Sequence, residues 1–461
     1  MRPYLPALAL VLLAACTHHP PRERVFPPHG VPDVQAAQLD ADYWIQRQHQ
    51  PQQPLLSRAA IAAQNRRLFE LDRSMHDLEA QTTPLPRATV AQWLSGVSAR
   101  PQKPRYDEHG VEIPAAMLDT LVADTAADAL PEQIAPRYGL VVHRAALRAF
   151  PTRLRVFSSV GDTDIDRFQE SALFPGTPVR LLHASRDGRW LFVLSAQYAA
   201  WIEADAVAEG EAAQVFGYGR KTPYRIVTGA TVRTVFTPQP AAVSELQLDM
   251  GVRVPVLADW PPDKPVNGQH PYTAHVIELP LRNAQGRLEF TPALLPRSAD
   301  TAADYLPLTT ANLLRQSFKF LGERYGWGHS YNARDCSGFV GEVYRSFGVL
   351  LPRNTRDMGT SPAYDRIALD ENDSHEKRLA LLHALRPGDL VFIPGHVMMN
   401  IGNLYGEPYM IHDTTGITYE TPDGQRARAA LNGVAVTPLT PLLGDEAPFV
   451  DRIYSIQRIR N

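Results

Sequence analysis

A cysteine and two histidines in the last third of the chain have the residue types and the order that covalent catalysis requires. Cys336 stands between Asp335 and Ser337 at the start of a helix-like pattern, and His396 and His412 follow it in two strand-like runs. A thiol becomes a nucleophile when an adjacent base removes its proton and a further group orients that base. The pattern therefore predicts a cysteine nucleophile, although a lone cysteine is also compatible with a small buried apolar residue.

The helix predicted after Cys336 supplies electrostatic support for a thiolate. It runs from Ser337 to Phe347 and is closed by Gly348. Free N–H groups and the positive dipole end at a helix start stabilise an anion, and such positions lower thiol pKa values from about 8.5 to roughly 3.5–7.5. The same N–H groups can bind the oxyanion of a tetrahedral intermediate. We therefore expect iodoacetamide to label Cys336 well below the pH at which it labels free cysteine.

The two histidines are predicted to lie on one face of a β-hairpin. A turn is predicted around Leu404, and His396 and His412 are equally far from it along the chain. A hairpin centred on Leu404 makes them direct partners, with Cβ atoms about 4.5–5.5 Å apart. His396 would then take the proton of Cys336, and His412 would orient His396. A single-residue bulge would change this register.

Two alternatives remain for the histidines. Either one, taken alone, is compatible with a structural role in a strand. One cysteine and two histidines without a repeated ligand spacing make a weak case for zinc, so no metal site is predicted.

Length and composition indicate several globular domains. The chain has 461 residues, too many for one hydrophobic core, and 44% of them are hydrophobic. Its formal net charge of −3 shows no excess of positive charge of the kind that indicates nucleic-acid binding. Its 40 prolines indicate many loops and turns. No cofactor is predicted, and we expect a monomer.

The first residues have the pattern of an export signal. Arg2 precedes an apolar run over residues 4–15, which is too short to span a bilayer. The segment Leu13-Ala14-Ala15-Cys16 resembles a bacterial lipobox, and the resemblance implies removal of residues 1–15 and attachment of lipid to Cys16. The alternative is an ordinary signal peptide with an incidental cysteine.

The lipobox resemblance also implies a location. Several acyl chains on one residue anchor a protein stably to a membrane. Thr17 follows Cys16 where aspartate would signal retention in the inner membrane. We therefore expect a lipid-anchored protein of the bacterial cell envelope, on the periplasmic side of the outer membrane. Residues 16–34 are expected to form a tether.

The remainder is predicted to be a multidomain α+β protein with four regions. Residues 35–135 have helical periodicity and are expected to form an N-terminal clip. Residues 136–215 contain short strands and turns typical of a small β-barrel and resemble a bacterial SH3-like domain. Residues 216–304 show the same pattern of short strands and turns and are expected to form a second SH3-like barrel. Residues 305–461 have helices first and strands after, which favours an α+β domain.

Several motifs of residues 305–461 together resemble those of the NlpC-type cell-wall cysteine peptidases, which are papain-like bacterial enzymes. The motifs occur in that family's order and spacing. They are Tyr325-Gly326-Trp327-Gly328, Asp335-Cys336-Ser337-Gly338-Phe339-Val340, Leu351-Pro352-Arg353-Asn354-Thr355, Arg386-Pro387-Gly388-Asp389-Leu390-Val391-Phe392, Gly395-His396-Val397 and Met410-Ile411-His412.

The resemblance implies roles for the residues of these motifs. Cys336, His396 and His412 match a catalytic triad, and Tyr325 matches a tyrosine that helps to hold the oxyanion. Three further residues match positions of the substrate pocket, where an acidic group can bind a free α-amine; they are Trp327, Asp335 and Ser337. His329, Gly395 and Asp357-Met358 depart from the family's usual residues, and the first two could reshape the pocket.

The implied reaction is hydrolysis of the γ-D-glutamyl–diamino acid bond in peptidoglycan stem peptides. In the subfamily with a clip and two SH3-like barrels, the first barrel narrows the cleft and favours stems with a free N-terminal L-Ala. Two other functions stay open. One is a wall-binding lipoprotein in which the barrels act and the catalytic domain is vestigial. The other is an acyltransferase or amidase of the same fold.

Overall fold

The structure is a computed structural model that describes residues 30–445 and 447–460. The expected signal segment, Cys16 and most of the tether lie outside these residues. Within the described ranges, no helix is both long enough and apolar enough to cross a membrane.

The N-terminal region combines four helices with one short pair of strands. Serine and aspartate begin the first two helices by ordinary N-capping, since Asp40 accepts from the N–H of Asp42 and Ser57 from that of Ala60. The elements are α1 (Ala41–Ile45), α2 (Arg58–Leu71), β1 (Leu85–Pro86), α3 (Arg87–Val97), α4 (Ala115–Asp124) and β2 (Gln133–Ile134).

The first barrel is a single antiparallel sheet of seven strands. Its order is β5-β4-β8-β7-β6-β3-β9, and its interior is filled by aliphatic side chains such as Leu147, Val179 and Val193. The strands are β3 (Tyr138–Val141), β4 (Ala145–Arg148), β5 (Gln169–Leu173), β6 (Pro178–Ala184), β7 (Trp190–Leu194), β8 (Ala199–Glu203) and β9 (Val207–Gly210).

A second β-rich unit follows the connecting helix α5 (Ala212–Tyr218). It has three small sheets, β13-β10-β16, β11-β12 and β14-β15, around a core that includes Val254 and Ile277. Its strands are β10 (Tyr224–Val227), β11 (Thr231–Arg233), β12 (Gln247–Asp249), β13 (Arg253–Pro255), β14 (Ala274–Arg282), β15 (Leu288–Pro296) and β16 (Thr301–Ala302).

The C-terminal region packs helices against a six-stranded antiparallel sheet of order β17-β25-β18-β19-β20-β23, with a smaller sheet β22-β21-β24 beside it. Its helices are α6 (Thr310–Phe318), α7 (Cys336–Arg345), α8 (Thr355–Thr360), α9 (His375–His383) and α10 (Phe449–Arg452). Its strands are β17 (Asp365–Ala368), β18 (Leu390–Ile393), β19 (His396–Leu404), β20 (Glu407–Thr414), β21 (Ile417–Glu420), β22 (Arg426–Ala429), β23 (Gly433–Pro438), β24 (Leu442–Leu443) and β25 (Ser455–Arg458).

The hairpin of β19 and β20 differs from the one predicted. Leu404 pairs with Glu407, so the turn is the residue pair after Leu404 rather than Leu404 itself. Ile401 is an extra residue between the pairs Asn400–Met410 and Gly402–Tyr409. The prediction that His396 lies directly opposite His412 is therefore wrong.

The bulge at Ile401 decides which face the histidines share. In the register beyond it, Met399 pairs with Ile411, so Met398 lies opposite His412 and His396 is two residues further along. Side chains two residues apart point to the same face of a strand. Without the extra residue, His396 would be displaced by an odd number and would point to the other face. The bulge therefore brings the two histidines together as diagonal neighbours.

The N-terminal region packs against this bulge. Gly402 has φ +145°, and a Cβ there would lie 3.0 Å from the ring of Trp44. The Trp44 indole is fully buried, donates to the carbonyl of Gln38 at 2.8 Å, and lies against the ring of Tyr409. Helix α1 thus stabilises the part of the hairpin that sets its register.

Gly402→Ala is expected to lower the free energy of unfolding by about 1–3 kcal/mol, because alanine is strained at this φ and its methyl group meets Trp44. Urea unfolding measures the change. The control is Gly217→Ala in α5, where a Cβ meets nothing within 4 Å. Equal stability of the two variants would contradict the packing of α1 on the bulge.

Candidate active site

Cys336 is the first residue of helix α7, close to the predicted helix start. Asp335 is the N-cap, and its carboxylate accepts from the N–H of Gly338 at 2.8 Å. The thiol is buried, its sulfur lies 3.8 Å from the hydroxyl oxygen of Thr355, and the backbone N–H of Val397 is close enough to lower its pKa. Because Val397 follows His396 directly, the sulfur lies beside the start of β19.

A chain of hydrogen bonds leads away from His396. Its Nε2 lies 2.8 Å from Nδ1 of His412, and Nε2 of His412 lies 2.9 Å from the hydroxyl oxygen of Thr437. Since Nε2 of His396 is engaged, Nδ1 is the nitrogen left to face the thiol. If His396 accepts the thiol proton at Nδ1, its Nε2–H donates to His412, and His412 donates to Thr437. Every polar atom of the chain then has a consistent role.

Burial sets the resting protonation of the pair. It raises the pKa of the Cys336 thiol to about 12, against the smaller opposing effects of the Val397 N–H and the Thr355 hydroxyl. It lowers the pKa of His396 to about 4 and that of His412 well below its usual value. The low thiol pKa predicted from the helix start is therefore wrong, because the effect of burial is larger than that of the helix start. We now expect a neutral thiol beside a neutral imidazole, and alkylation that does not begin below the pH of free cysteine.

Activity is expected to persist well below pH 6.5. His396 acts as a base only when neutral, and its lowered pKa keeps it neutral as the pH falls through 6.5 and protonates it near pH 4. The measurement is kcat/KM from pH 3.5 to 8, with the thermal midpoint recorded at each pH. An acidic limb centred near pH 6.5 in folded protein would contradict the buried, neutral His396.

The carboxylate of Asp335 already accepts hydrogen bonds from other residues of the same chain. It accepts from Arg353 at 2.8 and 3.2 Å, from the N–H of Gly328 at 2.9 Å, and from the hydroxyl of Ser337 at 3.2 Å. The guanidinium of Arg353 and the further hydrogen bonds hold the pKa of Asp335 at about 2, despite burial. Asp335 therefore anchors the helix start and Arg353, and it has no free face for an α-amine.

Arg353 contacts three further side chains. It donates to the hydroxyl of Ser171 in the first barrel at 2.7 Å and to Ser337 at 2.8 Å. It also lies 3.1 Å from Nδ1 of His329, whose Nε2 is 3.1 Å from the carboxylate of Glu342. Burial lowers the pKa of His329 well below its usual value. A neutral His329 that donates to Glu342 accepts from Arg353 and fixes it.

The remaining predicted site residues lie around this centre. Tyr325 is buried, and its pKa is raised chiefly by that burial, with a smaller effect from Cys336. Ser337 lies on the first turn of α7 beside Arg353. Trp327 is on the first-barrel side, where its indole donates to the carbonyl of Gln169 at 3.0 Å.

Several neighbours of the site are not predictable from local sequence patterns. Arg353, Thr355 and Thr437 were not assigned roles, although the first two belong to a recognised motif. Asp413 is fully buried, neither of its carboxylate oxygens has a hydrogen-bond partner, and burial raises its pKa to about 9. A buried, mostly apolar strand contains no sequence pattern that would mark a polar residue such as Asp413 as part of the site. Within the described ranges, no group of His, Cys, Asp and Glu side chains could hold a metal ion.

The first barrel forms one wall of this region. The amide of Gln169 on β5 donates to the carbonyl of Gly328 at 2.7 Å. Arg334, directly before Asp335, pairs with Asp249 of the second β-rich unit at 2.7 Å and with Glu342 at 2.9 Å. Both preceding units therefore contact the segment that carries the cysteine.

Two family models match the chain. One is the SH3 domain of the SH3b1 type over residues 155–203, and the other is the NlpC/P60 family over residues 322–436. The second range contains the cysteine and both histidines of the site. The chain carries an NlpC/P60 domain. The predicted resemblance to NlpC-type peptidases, the first SH3-like domain and the multidomain α+β fold class are thereby confirmed.

Solved structures that align with this chain include two NlpC/P60 proteins. An NlpC/P60 endopeptidase from Photobacterium damselae subsp. piscicida shares 16% identity, with a TM-score of 0.73, over 91% of this chain and 96% of its own. An NlpC/P60 family protein from Bacillus cereus ATCC 10987 shares 19% identity, with a TM-score of 0.47, over 70% of this chain and 100% of its own. No curated protein matches the sequence. NlpC/P60 domains are typically those of cysteine peptidases or amidases.

Proposed function

We propose that this NlpC/P60 protein is an endopeptidase that hydrolyses the γ-D-glutamyl–diamino acid bond of peptidoglycan stem peptides. The observation that carries the proposal is the hydrogen-bonded chain His396–His412–Thr437, on a strand whose start lies beside the sulfur of Cys336. It supplies a nucleophile, a base and a group that orients the base, as nucleophilic catalysis of acyl transfer requires.

In the proposed mechanism, Nδ1 of His396 takes the proton of Cys336 as the sulfur attacks the γ-carbonyl carbon of D-Glu. The C–S bond forms, and the carbonyl π electrons move to oxygen. The hydroxyl of Tyr325 and the free N–H groups at the start of α7 hold this oxyanion. His396 then gives its proton to the leaving amine as the C–N bond breaks. Water activated by the same imidazole attacks the acyl-thioenzyme and releases the carboxylic acid and the thiol.

We also propose that the enzyme accepts stems with a free N-terminal L-Ala, but not through Asp335. Arg353 and two backbone N–H groups already fill that carboxylate. An acidic group on the first-barrel side is Glu170, which accepts from the hydroxyl of Tyr198 and lies close enough to Arg353 to be influenced by its charge. Comparing L-Ala-γ-D-Glu-diaminopimelate with its N-acetyl form tests this requirement.

Digestion of purified sacculi tests the proposed reaction. Mass spectrometry should find new termini at D-Glu and at the diamino acid, released by the native protein and not by Cys336→Ala. Binding to sacculi without cleavage would favour the wall-binding lipoprotein. Products extended by an added amine acceptor would favour an acyltransferase, and cleavage between sugar and L-Ala an amidase.

The cellular location is a separate proposal that rests on the lipobox-like segment ending at Cys16. We propose a lipid-anchored protein on the periplasmic side of the outer membrane, acting on peptidoglycan or muropeptides as a monomer. Membrane fractionation of cells expressing the native chain and Cys16→Ser tests the anchor. Recovery of both in the soluble fraction would contradict it.

A further inference from the structure

A cavity of about 230 Å³ lies where the first barrel, the second β-rich unit and the NlpC/P60 domain meet. Each unit contributes to its wall: Ser171 and Phe174 come from the first barrel, Arg253 from the second unit, and Arg345 and Arg353 from the catalytic domain. The volume suits a small molecule or the side chain of a larger one. None of the residues that line the cavity is Asp or Glu.

Two of these three arginines have no carboxylate partner. Arg345 is partly buried near the end of α7, with its guanidinium 5.2 Å from the ring centre of Phe174 and its stem packed on Gly251. Throughout residues 30–445 and 447–460, no acceptor lies within hydrogen-bond distance of that guanidinium. Arg253 donates to two backbone carbonyls, those of Gly219 and Lys221, and stacks on Tyr224 at 3.8 Å.

Arg353 connects the cavity to the catalytic centre. Its charge is balanced by Asp335, and it donates to Ser337, the residue after the nucleophile. Arg353 therefore lines the cavity and also contacts the two residues that flank the cysteine in the chain. The Arg345 guanidinium is held by its contacts with Phe174 and Gly251, and its donors remain available to acceptors that a ligand supplies.

We propose that this cavity binds an oxyanion, a carboxylate or a phosphate, through Arg345 and Arg253. A guanidinium presents donors in a fork that matches a carboxylate or phosphate in a bidentate manner. The hydroxyl of Ser171 borders the same space, and the ring of Phe174 covers the apolar side. The oxyanion belongs either to a carboxylate of the stem peptide in the cleft or to a free small anion. The first source rests on the proposed function, and the second does not.

Thermal unfolding with sodium phosphate and sodium succinate, against sodium chloride at equal ionic strength, tests binding without any measurement of activity. The native protein should be stabilised by phosphate or succinate beyond the chloride control. Arg345→Gln should weaken the apparent affinity by about tenfold or more, as expected for loss of charge-assisted hydrogen bonds. Arg66→Gln is the matched control, since Arg66 is exposed on α2. Arg253→Gln gives a second test from another unit if Arg345→Gln fails to fold.

Kinetics on a stem tripeptide separate the two sources. For a stem carboxylate, Arg345→Gln raises KM with little change in kcat, and phosphate competes with the peptide. For a free anion, phosphate stabilises the protein without competing. Stabilisation that is equal in the native protein and both variants would overturn the proposal. So would absence of anion-specific stabilisation together with an unchanged KM. An inactive native protein that still binds phosphate through Arg345 would refute the proposed function and leave the cavity assignment intact.

Discussion

Cys336→Ala is expected to lower kcat/KM on a stem peptide by about 10⁴-fold or more, because removal of the nucleophile of a catalytic unit removes the covalent pathway. The substitution itself is mild for the fold. Cys336 is buried at a helix start and belongs to the hydrophobic core of the domain, so alanine occupies nearly the same space. The thermal midpoint should therefore change little.

Kinetics and thermal unfolding of the same preparations check this prediction. The control is Thr355→Val, which removes the hydroxyl 3.8 Å from the sulfur and keeps the nucleophile. Its activity should fall by no more than about tenfold, in keeping with the loss of one weak hydrogen bond. Cleavage by Cys336→Ala at the native rate would show that another group is the nucleophile.

The second large effect is expected at His412. Its Nδ1 lies 2.8 Å from Nε2 of His396, and it has no exposed surface. His412→Ala removes the group that orients the base and stabilises its protonated form, so kcat should fall by about 10²- to 10³-fold while KM changes little. His412→Asn keeps an acceptor toward His396 and should recover part of the loss.

Thr437→Val provides a graded comparison for the same chain. It removes the hydroxyl 2.9 Å from Nε2 of His412 and leaves both imidazoles in place, so a fall in kcat of about fivefold is expected from one hydrogen bond. Steady-state kinetics of the three variants measure the series. If His412→Ala retained native kcat, the third group of the site would be misassigned.

The sequence predicted those features of the site that depend on local pattern. Asp335 is a strong N-cap residue before an apolar helical run, so the helix start could be placed within one residue of Cys336. The strands carrying His396 and His412 are long apolar runs on either side of a turn, and they were placed correctly. The alternation of side chains along these strands also indicated that the two histidines could share a face.

The register of the hairpin depends on contacts that the local pattern does not contain. The turn is centred between Tyr405 and Gly406, one and a half residues later than predicted, and the bulge at Ile401 compensates for the resulting change of face. Gly402 signals an irregular strand, but its partner is Trp44, far away in the chain. A contact between such distant segments is a property of the folded protein and cannot be read from either segment.

The charges and pKa shifts of the site were likewise only partly predictable from the sequence. The helix start and the order of the titratable groups were visible in the sequence, whereas the burial that raises the pKa of Cys336 and lowers that of His396 was not. The acidic residue before the cysteine suggested a site for an amine. Its actual partner is Arg353, and only the folded structure shows that this ion pair leaves the carboxylate no free face for an amine.

The most direct measurement is the mass of the products formed from L-Ala-γ-D-Glu-diaminopimelate by the native protein and by Cys336→Ala in parallel. The native protein is predicted to release the dipeptide L-Ala-γ-D-Glu and free diaminopimelate, and the variant to leave the tripeptide intact. An intact tripeptide with folded native protein, cleavage at the L-Ala–D-Glu bond, or equal cleavage by the variant would contradict the assignment of Cys336 as the nucleophile of a γ-D-glutamyl–diamino acid endopeptidase.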